Sequence, residues 1–201
     1  MKKKTGEICE QIRNAYVSLM ENKSYDKIRV REIAEAAHIQ RSTFYQYYDN
    51  LNDLITSLEE DLLRDMVFYR DVEFDIRKIE PLDSIRDWFD WCMKKRRYLM
   101  ALMGENGDPY FEEKFKSRIC ADINRMMDSE GMPRDELRPF CVELTYSIHV
   151  SLMKFAVRLG EERCPFRADE LAGLSNYWRE CALKAEQEKK FPLSGKNKKY
   201  E

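Results

Sequence analysis

Between Val30 and Tyr47 two helix-length segments are separated by only three residues, Ala37-His38-Ile39, and this spacing limits what the chain can fold into. Helices joined by so short a turn cannot lie parallel. They cross steeply, bury one face of each and leave the outer face of the second exposed, which is the helix-turn-helix arrangement. The first runs from Val30 to Ala36 and the second from Gln40 to Tyr47. Ile33, Ala34, Ala37, Ile39 and Phe44 supply a small core in which the alanines allow close approach. Gln40, Arg41, Ser42, Thr43, Gln46 and Tyr47 remain outside. Upstream, Ile8, Ile12, Ala15, Tyr16 and Leu19 recur at helical steps on one face of a first helix, which the polar stretch Glu21-Asn22-Lys23-Ser24 ends. Downstream, Asn50 suits the cap of a fourth helix with Asp53 in its first turn and Leu51, Leu54, Ile55, Leu58 and Leu62 along it.

Helical spacing continues to near the end of the chain, and no segment reads as a strand. Of the 201 residues 43% are hydrophobic and 36% charged, with 7 Gly and 6 Pro, the profile of a strongly helical soluble protein. The pattern breaks at Arg70-Asp71. Pro81 opens a helix running to about Met103, and Gly104-Glu105-Asn106-Gly107-Asp108-Pro109 forms a turn cluster. Tyr110 to Met127 is helical and is closed by Gly131-Met132-Pro133. Two more helices cover Asp135 to Leu159 and Ala168 to Glu188, and the lysine-bearing tail from Ser194 is expected to be disordered. No apolar run approaches eighteen residues, and Met1-Lys2-Lys3-Lys4 leads into polar sequence, so a cytoplasmic location without membrane contact is expected. The six cysteines, Cys9, Cys92, Cys120, Cys141, Cys164 and Cys181, stand singly and are expected to be buried free thiols.

Arginine and glutamine carry donor and acceptor forks that match guanine and adenine edges in a major groove, and threonine adds a methyl and a hydroxyl. The outer face of the second motif helix is therefore suited to DNA. The net charge is only −2, but residues 1–50 carry nine Lys/Arg against seven Asp/Glu, so the surplus there is positive. The stretch resembles the DNA-binding domain of the TetR/AcrR family of bacterial regulators through Ile12, Ala15, Tyr25, Val30, Ile33-Ala34, Ala37, Ser42-Thr43-Phe44-Tyr45, Tyr48-Asp49-Asn50 and Leu54. Gly104 to Phe111, Gly-Glu-Asn-Gly-Asp-Pro-Tyr-Phe, is similar to the C-terminal region of one branch of that family. The DNA-contacting set is then Lys27, Arg29, Gln40, Arg41, Ser42, Thr43, Tyr45, Gln46 and Tyr47, with Arg41 aimed at a base and Tyr45 at a phosphate.

Four positions depart from the family pattern. Arg29 stands where a threonine cap is usual, and a missing cap costs about 1 kcal/mol. His38 replaces the usual turn glycine, but histidine tolerates left-handed backbone better than most residues. Ser24 replaces a common glycine. Leu51 replaces a lysine that in the family touches a DNA phosphate, which puts one backbone contact in doubt.

The resemblance implies an all-α protein: a three-helix helix-turn-helix domain over residues 1–50 and a helical effector-binding and dimerisation domain over 51–193. It also implies homodimerisation through the last two long helices. Their apolar rows, Phe140, Leu144, Ile148, Leu152, Phe155 and Leu159 on one and Leu171, Leu174, Trp178 and Cys181 on the other, suit that role or the core of one chain. Trp88, Trp91, Met100, Met103, Phe111, Met127, Tyr146, His149 and Met153 are large, adaptable side chains that suit either a core or a small-molecule cavity. No cofactor or metal is expected. With only His38 and His149 in the chain, His-based metal sites and His-assisted nucleophiles lack partners, so an enzyme is not expected. The expected function is a ligand-responsive repressor that binds an operator in double-stranded DNA as a homodimer and is released by a small molecule. The alternative is a co-regulator of the same fold that acts through a protein partner.

Overall fold

The computed structural model describes residues 2–66, 83–129 and 131–187. Among them there are helices and no strand: α1 (Lys2–Met20), a 3-10 turn (Tyr25–Lys27), α2 (Val30–Ala36), α3 (Arg41–Phe44), α4 (Leu51–Asp65), α5 (Asp83–Lys94), α6 (Arg96–Leu102), α7 (Pro109–Ser129), α8 (Arg138–Leu159) and α9 (Ala168–Gln187). The protein is all-α, with an N-terminal helix-turn-helix followed by a C-terminal helical part. α2 packs between α1 and α3, while α5, α7, α8 and α9 form the larger cluster and α6 touches both α8 and α1.

α6 and the turn after it grip the C-terminal half of α1. The Tyr98 hydroxyl lies 2.7 Å from the Glu10 carboxylate and 3.1 Å from Asn14 Oδ1. Arg97 donates to Ser18 and lies 3.5 Å from Glu21. Asn106 Nδ2 donates to the Met20 carbonyl at the end of α1 (3.0 Å), and its own carbonyl accepts from the Tyr25 amide (2.8 Å). This turn requires glycine at 107, where a Cβ would fall 2.1 Å from the Leu102 oxygen. A second tie joins α4 to α7: Glu59, 1% exposed, accepts from Lys114 Nζ at 2.8 Å. Burial raises the Glu59 carboxyl above the ordinary carboxylate range despite that bond.

Several boundaries differ from the sequence reading. The helix expected from Pro81 to Met103 is two helices that break at Lys95, whose φ of −95° and ψ of 11° are not helical. Just past this break Arg96 Nε and Nη2 donate to the Val157 and Arg158 carbonyls at the end of α8 (2.5 and 3.2 Å). α8 begins at Arg138 rather than Asp135. Arg138 is buried and donates to the Pro133 carbonyl (3.1 Å) and Asp128 Oδ1 (3.0 Å), which fastens the start of α8 to the end of α7. Arg134 and Arg138 together hold the Asp128 carboxyl at about 2. α8 ends at Gly160, whose φ of 77° lies in the left-handed region. The breaks at Arg70-Asp71, the Pro81 start and the tail from Ser194 lie outside the described residues.

All six cysteines remain thiols, but only Cys92 is buried; Cys9, Cys120, Cys141 and Cys164 are half-buried and Cys181 is exposed. Cys9, Cys120, Cys141 and Cys181 lie on helices, where periodicity alone does not separate core from rim, and Cys164 lies in the turn between α8 and α9. α8 is long and apolar enough to cross a membrane by length and composition alone. It packs here against α5, α6, α7 and α9.

Candidate nucleic-acid interface

Local chemistry builds the motif. Arg29 is extended (φ −120°, ψ 147°), and its amide donates to the Glu32 carboxylate (2.9 Å), so α2 keeps one half of a capping box without a hydroxyl at its cap position. Both Glu32 oxygens also accept from Lys23 Nζ at 2.7 Å, and this bond, helped by the Arg29 amide, keeps the Glu32 carboxyl below its ordinary range. At the other end the His38 amide donates to the Glu35 carbonyl and the Ile39 amide to Ala34 (3.1 and 3.0 Å), a Schellman closure in which His38 takes the left-handed position with φ 54°.

α3 starts after an extended Gln40 and spans only Arg41–Phe44. The helix expected to reach Tyr47 tightens instead, because the Gln46 and Tyr47 amides donate to the carbonyls three residues back (3.1 and 3.0 Å). The tightening carries Tyr48 into the core beneath Phe44. Phe44 is 0% and Tyr48 5% exposed, and their rings are 5.7 Å apart. The Tyr48 hydroxyl accepts from Arg13 Nε (3.1 Å), and Arg13 Nη2 reaches Ser57 (2.9 Å) and Asp61 (2.5 Å) on α4. α4 is capped by Asn50 Oδ1, which accepts from the Asp53 amide, while Asp53 Oδ2 accepts from the Asp49 amide, both at 3.0 Å.

On the outer face Gln40, Arg41, Ser42, Tyr45 and Gln46 are exposed, and Thr43 and Tyr47 are half-buried. Lys27 is exposed. Arg29 is exposed too, but its guanidinium folds back onto the Asp26 and Ile28 carbonyls (3.0 and 3.4 Å) and does not point outward as a free cation. Arg41 Nη2 donates to the Tyr45 hydroxyl (3.1 Å), with the guanidinium carbon 5.5 Å from the Tyr45 ring centre. Leu51 is half-buried and packed on the core, so the start of α4 presents no side-chain charge at that position.

Residues 12–58 match the family model described as "Bacterial regulatory proteins, tetR family". The N-terminal domain belongs to the tetR family. The matched residues begin in α1 and end in α4, so they take in α2, α3 and the α4 cap at Asn50. Solved structures extend the likeness of fold to most of the chain. A TetR transcriptional regulator from Streptococcus agalactiae 2603V is 21% identical, with 88% of this chain and 96% of that one covered and a TM-score of 0.60. A tetR-family transcriptional regulator from Streptomyces coelicolor is 19% identical, with 92% and 85% covered and a TM-score of 0.60. The dihydroxyacetone kinase operon activator DhaS is 17% identical, with 92% and 97% covered and a TM-score of 0.53. No curated protein sequence matches the chain significantly.

The side chains named as cavity candidates fall into two groups beyond the tetR-family domain. Trp88 and Phe111 are 0% exposed and pack within the core cluster. Met127, Tyr146, His149 and Met153 are also buried, Trp91 and Met103 half-buried, and Met100 43% exposed. The His149 ring stands edge-on to Trp88 at 6.4 Å, and its Nδ1 is 2.8 Å from the Thr145 carbonyl, which can only accept, so that nitrogen carries a proton. Met100, Met103 and Met153 line a half-open groove of about 530 Å³ between α6 and α8. An adjoining groove of about 490 Å³ contains Arg97, Met100 and Asn106 beside the end of α1. Among the described residues no group of His, Cys, Asp and Glu is placed to hold a metal ion. Sequence reasoning missed Arg13, Arg97, Tyr98 and Asn106, whose partners lie far away along the chain.

Proposed function

We propose that the chain is a ligand-responsive transcriptional repressor that binds operator DNA as a homodimer and is released by a small molecule. The observation that carries this reading is the exposed face of Gln40, Arg41, Ser42 and Gln46 on a tetR-family motif whose inner face is locked to α1 and α4 through Phe44, Tyr48 and Arg13. In a helix-turn-helix such a face meets base edges. The test is a titration of wild type and Arg41→Ala against a duplex enriched by the wild-type protein from a random pool and against its scramble. Arg41→Ala is expected to lose about 1–3 kcal/mol on the enriched duplex and little on the scramble, as removal of a bidentate base contact does.

Two faces support dimerisation. On α8, Phe140, Leu144 and Phe155 are 50%, 41% and 45% exposed, and on α9, Leu174, Tyr177 and Trp178 are 40%, 64% and 57% exposed. Large apolar side chains clustered in this way mark an interface. For the effector, the reading favours an apolar or cationic small molecule bound near Met100, Met103 and Met153, where α6 links the rest of the chain to α1. Ligand there should raise the melting temperature by mass action, and Met153→Asp should abolish the shift. A broad small-molecule library that yields no thermal shift with wild type would remove the sensor from this reading.

The half-buried Leu51 and the folded-back Arg29 favour a second reading, in which the chain binds DNA weakly and acts through a protein partner. Failure of the wild type to enrich any sequence from the pool would support it against the first.

A further inference from the structure

Arg41 and Tyr45 lie one helical turn apart, where side chains on a helix meet, and the sequence alone assigns them separate tasks at a base and at a phosphate. The structure joins them. The Arg41 guanidinium donates to the Tyr45 hydroxyl at 3.1 Å and stands 5.5 Å from the ring centre, so the phenol holds it through a hydrogen bond and through the π face together. Resting on the DNA-reading function proposed above, we propose that Tyr45 is a positioning residue for Arg41: it sets the guanidinium in the orientation that meets a base edge, and so contributes to sequence discrimination as well as to affinity.

The bond is compatible with base reading. It uses one of five guanidinium N–H donors, which leaves enough for a bidentate contact to the N7 and O6 of a guanine. The phenol accepts from Arg41 and keeps its own proton, so it can still donate to a phosphate oxygen. No carboxylate competes, since Arg41 makes no ion pair among the described residues.

Tyr45 can do this because it is itself braced. Its ring meets the fully buried Phe44 edge-on at 5.5 Å; Phe44 packs on Tyr48 at 5.7 Å; and the Tyr48 hydroxyl is held by Arg13, which is anchored to Ser57 and Asp61 on α4. An exposed arginine otherwise samples many rotamers and must be ordered when it binds. Holding it in advance reduces that penalty and narrows the set of bases it can engage.

The experiment is a double-mutant cycle of Arg41→Ala and Tyr45→Phe, with the enriched duplex and its scramble titrated against all four proteins. Tyr45→Phe keeps the ring and its packing on Phe44, and an unchanged melting temperature verifies the fold. Losing the hydroxyl should weaken binding to the enriched duplex by about 2–10-fold, the usual effect of one hydrogen bond, and change the scramble much less. In the Arg41→Ala background the same substitution should leave the ratio of the two affinities unchanged. Repeating the enrichment with Tyr45→Phe should relax preference at the base pair that Arg41→Ala also relaxes. Equal losses on both duplexes, or the same loss with and without Arg41, would show that Tyr45 serves a phosphate alone and overturn the proposal. Tighter binding by Tyr45→Phe would overturn it in the opposite sense, as the mark of a resting contact that DNA must break. If wild type enriches no sequence at all, it is the DNA-reading function that falls.

Discussion

Replacing Phe44 with Ala is expected to destabilise the chain by about 3–5 kcal/mol, the range for an aromatic side chain removed from a packed core, and to abolish specific DNA binding with it. Phe44 is 0% exposed and is the only fully buried side chain of α3. α3 has a single turn of helix and no cap from Gln40, so its own hydrogen bonds cannot keep it formed. Its orientation rests on the Phe44 ring, which is wedged against Tyr45 and Tyr48 and through Tyr48 and Arg13 against α4. Without the ring the exposed face of α3 has nothing to fix its angle. Denaturant melts of wild type and Phe44→Ala, paired with a titration of the enriched duplex, test this. A midpoint shift worth less than 1 kcal/mol, or retained discrimination between duplex and scramble, would show that α3 is held by something else.

The second large effect is expected at the opposite end of the molecule. Leu174→Asp combined with Trp178→Asp should convert a dimer into a species of 24.1 kDa and lower affinity for the enriched duplex by about 10²–10⁴-fold. Both residues are exposed on α9, 40% and 57%, so the folded single chain should tolerate the carboxylates, while a symmetric interface would have to bury them. The loss on DNA follows from geometry. Two recognition helices bind one site when they stand about 34–36 Å apart, one turn of the duplex. A single head loses the gain from linkage although every protein–DNA contact of that head is intact. Light scattering at micromolar protein, run beside the titration, separates the outcomes. A wild type at the single-chain mass would refute the dimer outright, and a monomeric variant with undiminished affinity would show that dimerisation is irrelevant to binding.

Most of the helix-turn-helix was legible because it is made by neighbours in sequence. The bounds of α2 at Val30 and Ala36, the left-handed His38 and the cap that Asn50 gives Asp53 each depend on contacts within about one helical turn. The Arg41–Tyr45 contact has the same short range. The residue types, matched singly to a base and to a phosphate, do not reveal it. Periodicity extends α3 to Tyr47, whereas the chain tightens after Phe44 and Tyr48 is buried there, a coupling of turn geometry to core packing that propensity does not register.

The helical class, the crossing of α2 and α3 and the residue types on the outer face of α3 were determined by sequence, since periodicity and turn length are properties of adjacent positions. The break at Lys95, the complete burial of Trp88 and Phe111 and the exposure of the α9 row at Leu174 and Trp178 were decided only by tertiary structure. So was the grip of Tyr98 on Glu10, across 88 positions. An apolar or polar side chain at a helical step states that it will face something. What it faces depends on which distant element arrives there, and that is set by packing the whole chain at once.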